Sequence, residues 1–110
     1  MLKHSEPARD VEGYLINPED WSVLVACSLA DEEELVLEEE YWPVLQFMRD
    51  YWHEHKVAPD VRHVVDYMAR EQAANKQSAK AHLFKMFPYG YVQQACKIAG
   101  MQKPRAWSTG

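Results

Sequence analysis

Beyond Glu71 the sequence contains no aspartate or glutamate, although Lys76, Lys80, Lys85, Lys97, Lys103 and Arg105 all follow. Between positions 10 and 50 the balance is reversed: twelve acids meet a single base, Arg49. The net charge of −5 therefore conceals a strong polarity along the chain. Solvated helix faces account for it, and so does a basic docking surface in the last third for an acidic partner or groove. Cysteine is also scarce. Cys27 and Cys96 stand alone and far apart, with neither a CxxC pair nor zinc-ligand spacing. Two thiols are too few to staple a secreted domain, so a reducing cytoplasm is expected. No apolar run approaches the roughly 18 residues of a membrane span, and Met1-Leu2-Lys3-His4-Ser5-Glu6-Pro7 lacks a signal-peptide core. With four glycines there is no phosphate-cradling loop, and neither a Ser/His/Asp signature nor an internal repeat is present. His53-Glu54-His55 does not make a metal site. Residues two apart on a helix point to nearly opposite sides, and a zincin pair needs a spacing of four. His53, His55, His63 and His82 read as surface residues, and no metal or cofactor is expected.

What is present is enough for one core: 110 residues, 47% of them apolar. Gly13-Tyr14-Leu15-Ile16 is β-prone, but Pro7 weakens a preceding strand, so an N-terminal hairpin is expected to be reduced or absent. Asn17-Pro18-Glu19-Asp20 reads as a helix start, with Asn as cap, Pro next and acids in the first turn. That helix is expected to run to about Asp31, with Trp21, Leu24, Val25, Ser28 and Leu29 facing the core and Cys27 a buried, inert hydrophobe. A second helix covers about Glu39 to His55, with Tyr41, Val44, Leu45, Met48 and Trp52 as its apolar stripe, and Trp42 a further core residue. Pro43 predicts an irregular first turn there, or a later start. A third helix follows Pro59-Asp60, burying Val61, Val64, Val65 and Met68 to about Gln72. Ser78 is placed as the cap of a fourth, whose core positions are Leu83, Phe84 and Phe87. Pro88 and Gly90 make a turn. Val92, Ala95, Cys96 and Ala99 form one small helical face, which Gly100 closes as a C′ glycine. Pro104 prevents a restart, leaving about ten residues of arm that could reach ~30 Å when extended.

This ending resembles that of the DsrC/TusE family of sulfur-relay proteins, also known as the gamma subunit of dissimilatory sulfite reductase. The residues that carry the likeness are Leu83-Phe84-Lys85-Met86-Phe87-Pro88, Gly90, Gln94-Ala95-Cys96-Lys97-Ile98-Ala99-Gly100 and Lys103-Pro104. Upstream, Gly13-Tyr14-Leu15, Trp21, Trp42, Phe47, Arg49-Asp50-Tyr51, Pro59 and Arg62 also fall on family positions. The resemblance implies a mainly α fold (α+β by family): a compact bundle of about five short helices, room for a small N-terminal β-hairpin, and a mobile C-terminal arm. One domain over 1–110 is expected, with 101–110 as the arm.

The resemblance also implies a chemistry that this chain departs from. In the family the penultimate cysteine of the arm carries sulfur as a persulfide; the aligned position here is Trp107, whose indole has no nucleophilic sulfur. Cys96 matches the family's upstream cysteine, which pairs with the arm cysteine in two-cysteine members. Here that partner is missing. Three readings follow. In the first, the chain docks on sulfur-relay proteins or sulfite reductase with carrier chemistry weakened or lost, using Lys97, Lys103, Pro104, Arg105, Trp107 and Arg62 as partner-binding residues. Trp107 would be the aromatic anchor, and Arg62 either pairs internally or receives an anionic group near the arm. In the second, Cys96 alone is the catalytic sulfur acceptor, in tRNA thiolation or the sulfite pathway. Burial and a helix C-terminus would both work against its thiolate. In the third, the protein is a small nucleic-acid-binding regulator, against which the acidic first half argues.

Overall fold

The computed structural model describes residues 7–72 and 74–103. Five helical segments carry the fold: α1 (Val23–Glu32), α2 (Tyr41–His55), α3 (Val61–Glu71), α4 (Lys76–Met86) and a final α5, π-helical over Tyr91–Cys96 and continuing as an α turn. Among the described residues the N-terminal hairpin is reduced to one antiparallel bridge, Arg9 with Leu15. The mainly helical expectation is met.

Asn17 caps as expected, accepting from the Glu19 amide, but only a 3-10 turn over Pro18–Asp20 follows. The helix proper starts afresh at Ser22, whose hydroxyl accepts from the Val25 amide. Ala26, Leu29 and Ala30 are buried, whereas Leu24, Ser28 and Cys27 are exposed. The expected burial of Cys27 is thus overturned: at about 100° per residue it falls on the solvent side with Leu24 and Ser28, away from the Ala26, Leu29 and Ala30 face that meets the core.

In α2 the predicted stripe is observed, with Tyr41, Val44, Leu45 and Met48 buried and Trp42 and Trp52 half-buried against the core. Pro43 does not disturb it. It is the third residue of a helix that begins at Tyr41, where the amide has no intrahelical acceptor in any case. The α3 boundaries and buried face are as read, with Asp60 in the cap position. The cap of α4 is Asn75 rather than Ser78; the Asn75 side chain accepts from the Ser78 amide, the geometry of a cap and its N3 partner. Its core residues are Ala79, Leu83 and Met86, followed by Phe87, with Phe84 half-buried. Tyr41 meets Phe87 edge-on at 5.3 Å and donates to the Met86 carbonyl, joining the start of α2 to the end of α4.

α5 lies in the middle of the molecule. Tyr91, Gln94, Ala95, Cys96, Ile98, Ala99 and Met101 are all buried, so most of its surface is enclosed rather than one small face, and only the side bearing Gln93 and Lys97 is open. An enclosed helix end must satisfy its own carbonyls. Gly100, at φ +80°, and Met101 donate to the Lys97 and Cys96 carbonyls in a Schellman turn. The next two carbonyls go elsewhere: the Trp21 indole donates to Ile98 at 2.8 Å and Arg49 to Ala99 at 3.1 Å. Arg49 also reaches the Pro18 carbonyl at 2.8 Å and lies over the Trp21 ring. A guanidinium at a helix C-terminus is favoured by the helix dipole, which explains a buried cation on an otherwise apolar face.

Candidate functional site

Cys96 is fully buried on the inner side of α5. Its thiol lies within hydrogen-bond reach of the Tyr91 hydroxyl, which in turn donates to the Pro59 carbonyl. Burial pushes the Cys96 thiol up to about 12; the Tyr91 hydroxyl pulls the other way and loses. Burial likewise raises the Tyr91 phenol well above its ordinary range, helped by the neighbouring Cys96. Both shifts favour the neutral forms of the pair, and both groups are buried.

One residue further on, Lys97 turns outward into a cleft of about 350 Å³. Tyr14 and Glu33 form one side, Tyr89 and Gln93 another, and Lys103 with Glu12 closes it. Lys97 stands 3.7 Å from Glu33 and 5.2 Å from the Tyr14 ring, while Lys103 pairs with Glu12 at 3.1 Å. The Tyr14 hydroxyl donates to the Val92 carbonyl, and partial burial pushes this phenol up to about 12. Gln94, buried beneath, donates to Glu33 and accepts from the Tyr89 amide. Two cations face two carboxylates, so the cleft is polar but balanced in charge. Met101 is buried, and Gln102 donates to the Ile16 carbonyl at 2.7 Å.

The structure thus brings Lys97 and Lys103 to one cleft, whereas the Cys96 thiol is buried and does not line it. Arg62 is elsewhere. It pairs with Asp60 at 3.1 Å and borders a groove between α3 and α4. Pro104, Arg105 and Trp107 lie outside the described residues. Three contributors escaped the sequence reading: Glu12 and Glu33, which neutralise the lysines, and Arg49. For Arg49 a signal existed, since it falls four residues after Leu45 and three before Trp52, on the buried face of α2. Among the described residues there is no group of three metal-ligating side chains and no helix long and apolar enough to cross a membrane.

A family model described as "DsrC like protein" matches residues 1–106. The chain belongs to the DsrC-like family. Sulfurtransferase TusE of Photorhabdus laumondii is 38% identical over 104 residues, covering 94% of this chain and 93% of that one. TusE of Escherichia coli O6:H1 is also 38% identical over 104 residues, covering 94% of each. Of solved structures, the oxidized gamma subunit of dissimilatory sulfite reductase (DsrC) from Archaeoglobus fulgidus superposes with a TM-score of 0.81 at 33% identity, covering 96% of both chains. DsrC of Allochromatium vinosum gives 0.79 at 36%, covering 93% of this chain and 90% of that one. The family read from the C-terminal motif is therefore the one to which the chain belongs.

Proposed function

We propose that this DsrC-like protein acts by docking on sulfur-relay or sulfite-reductase partners in the cytoplasm, without carrying sulfur itself. Burial of Cys96, with its thiol pushed up to about 12, carries the reading. A thiol held neutral inside the core cannot attack a persulfide donor, and Trp107 stands where the resemblance places the carrier cysteine. What remains for the chain is recognition: the cleft beside Lys97 and Lys103, and beyond it Pro104, Arg105 and the aromatic anchor Trp107.

The test combines thiol chemistry with binding. Incubation with a persulfide donor, followed by intact-mass spectrometry of wild type, Cys27→Ser and Cys96→Ser, should show Cys96 unmodified. Native alkylation should reach Cys27 alone, and Cys96 only after denaturation. Pull-down of purified sulfur-relay proteins or sulfite reductase should survive Cys96→Ser and fail with Trp107→Ala. Gain of one sulfur atom that disappears in Cys96→Ser would overturn the proposal and make Cys96 the carrier.

A further inference from the structure

The cations of the last third do not form one surface. Lys97 and Lys103 are neutralised within the cleft at the end of α5, whereas Arg62, Lys76 and Lys80 converge on a second concavity. This groove, about 580 Å³, runs between the first half of α3 and the start of α4. Its floor is apolar, made by Val61 and Val65, and of the three cations on its rim Lys76 pairs with Asp66 at 3.2 Å and Arg62 with Asp60 at 3.1 Å, which leaves the charge of Lys80 in excess. Lys80 is exposed and has no ion pair among the described residues. The excess of positive charge stands out on a chain of net charge −5. Helix stability does not explain Lys76 either, because it is the first residue of α4, where the dipole disfavours a cation.

We propose that the α3–α4 groove is a docking site for an acidic segment of a partner protein, one that presents an aliphatic side chain between carboxylates. The aliphatic group would cover Val61 and Val65, and the carboxylates would meet Lys80, Lys76 and Arg62. Nucleic acid fits less well: three cations, two of them already paired, neutralise few phosphates, and the one ring lining the groove, the His63 imidazole, already packs against Tyr51 at 5.0 Å. The inference rests on the docking reading above only in requiring a protein partner, and it concerns a different face.

The probe is a fluorescein-labelled acidic peptide with the sequence of residues 32–40, Glu-Glu-Glu-Leu-Val-Leu-Glu-Glu-Glu. It is compared by fluorescence anisotropy with the same peptide carrying three serines at its centre, and with single-stranded oligo-dT. Binding of the aliphatic peptide should weaken about tenfold in Lys80→Glu. It should also weaken with rising salt, and be clearly tighter than that of either control. Amide shifts in NMR should map to Val61, Val65 and Lys80, which guards against misreading a folding defect. Equal binding of all three probes, tighter binding of oligo-dT, or shifts centred on Lys97 would each overturn the proposal. So would sedimentation showing a dimer abolished by Lys80→Glu, because the groove's occupant would then be a second copy. If the groove fails while Trp107→Ala still blocks partner capture, the docking function stands and only this site is lost.

Discussion

Gly100→Ala tests the packing that holds the end of α5. Gly100 sits at φ +80°, and a Cβ built there would lie 2.8 Å from both Cβ and Cγ of Trp21, and nearer still to Cδ1. Two penalties add. Left-handed backbone costs an L-residue about 1–2 kcal/mol, and forcing an atom into a packed interior costs ~1–3 kcal/mol. Trp21 cannot step aside cheaply, because its indole is bonded to the Ile98 carbonyl and the Arg49 guanidinium lies 4.7 Å above its ring. The expected loss is therefore about 2–5 kcal/mol, a large part of a typical domain's stability. With a urea m-value of about 1–3 kcal/mol/M, the midpoint should fall by roughly 1–3 M. Gly13→Ala is the internal control. Its φ is +94°, but its Cβ would meet the ends of the Arg9 and Lys97 side chains at 3.3 and 3.5 Å, well outside the 2.8 Å and nearer contacts with Trp21, so the backbone penalty should dominate. In a Trp21→Ala background Gly100→Ala should also fall to that smaller cost. Equal effects of the two glycine substitutions, or strict additivity with Trp21→Ala, would refute the steric argument.

Two further outcomes follow from the same core. Arg49→Met removes both donors from the Pro18 and Ala99 carbonyls and should destabilise by about 2–4 kcal/mol in urea melts. Arg49→Lys should recover only part of this, since an ammonium lacks the planar fork that reaches both acceptors; full rescue would show that charge alone suffices. Alkali should act first through Cys96, between pH 9 and 10, before the raised phenols Tyr14 and Tyr91 add to it. The thiol's folded value of about 12 lies above its ordinary 9.0, so its contribution is complete below pH 9 and is lost as pH rises toward 12. The slope is at most on the order of 1.4 kcal/mol per pH unit, and Cys96→Ala should flatten it; parallel profiles for the two proteins would refute the assignment.

Legibility in the sequence followed locality. The α2 and α3 stripes, the Gly100 stop and the Pro88/Gly90 turn were readable because each depends on residues within a turn or two of one another. The start of α1 was misread because Asn17 and Ser22 are both competent caps, and choosing between them requires knowing which face meets α5. The candidate site was half legible. Cys96, Lys97 and Lys103 announced themselves through a motif. Glu12 and Glu33 did not, since nothing local says that residues some sixty or more positions away will neutralise those lysines.

The sequence by itself determined a helical chain and its family, because these depend on residue identity and short-range periodicity. Only the tertiary structure decided that Cys96 is enclosed and neutral, that Cys27 is the exposed thiol, and that the basic last third divides into a balanced cleft and a positive groove. Burial and charge pairing are sums over neighbours from every part of the chain. A thiol's reactivity and a lysine's free charge therefore emerge only when distant segments pack.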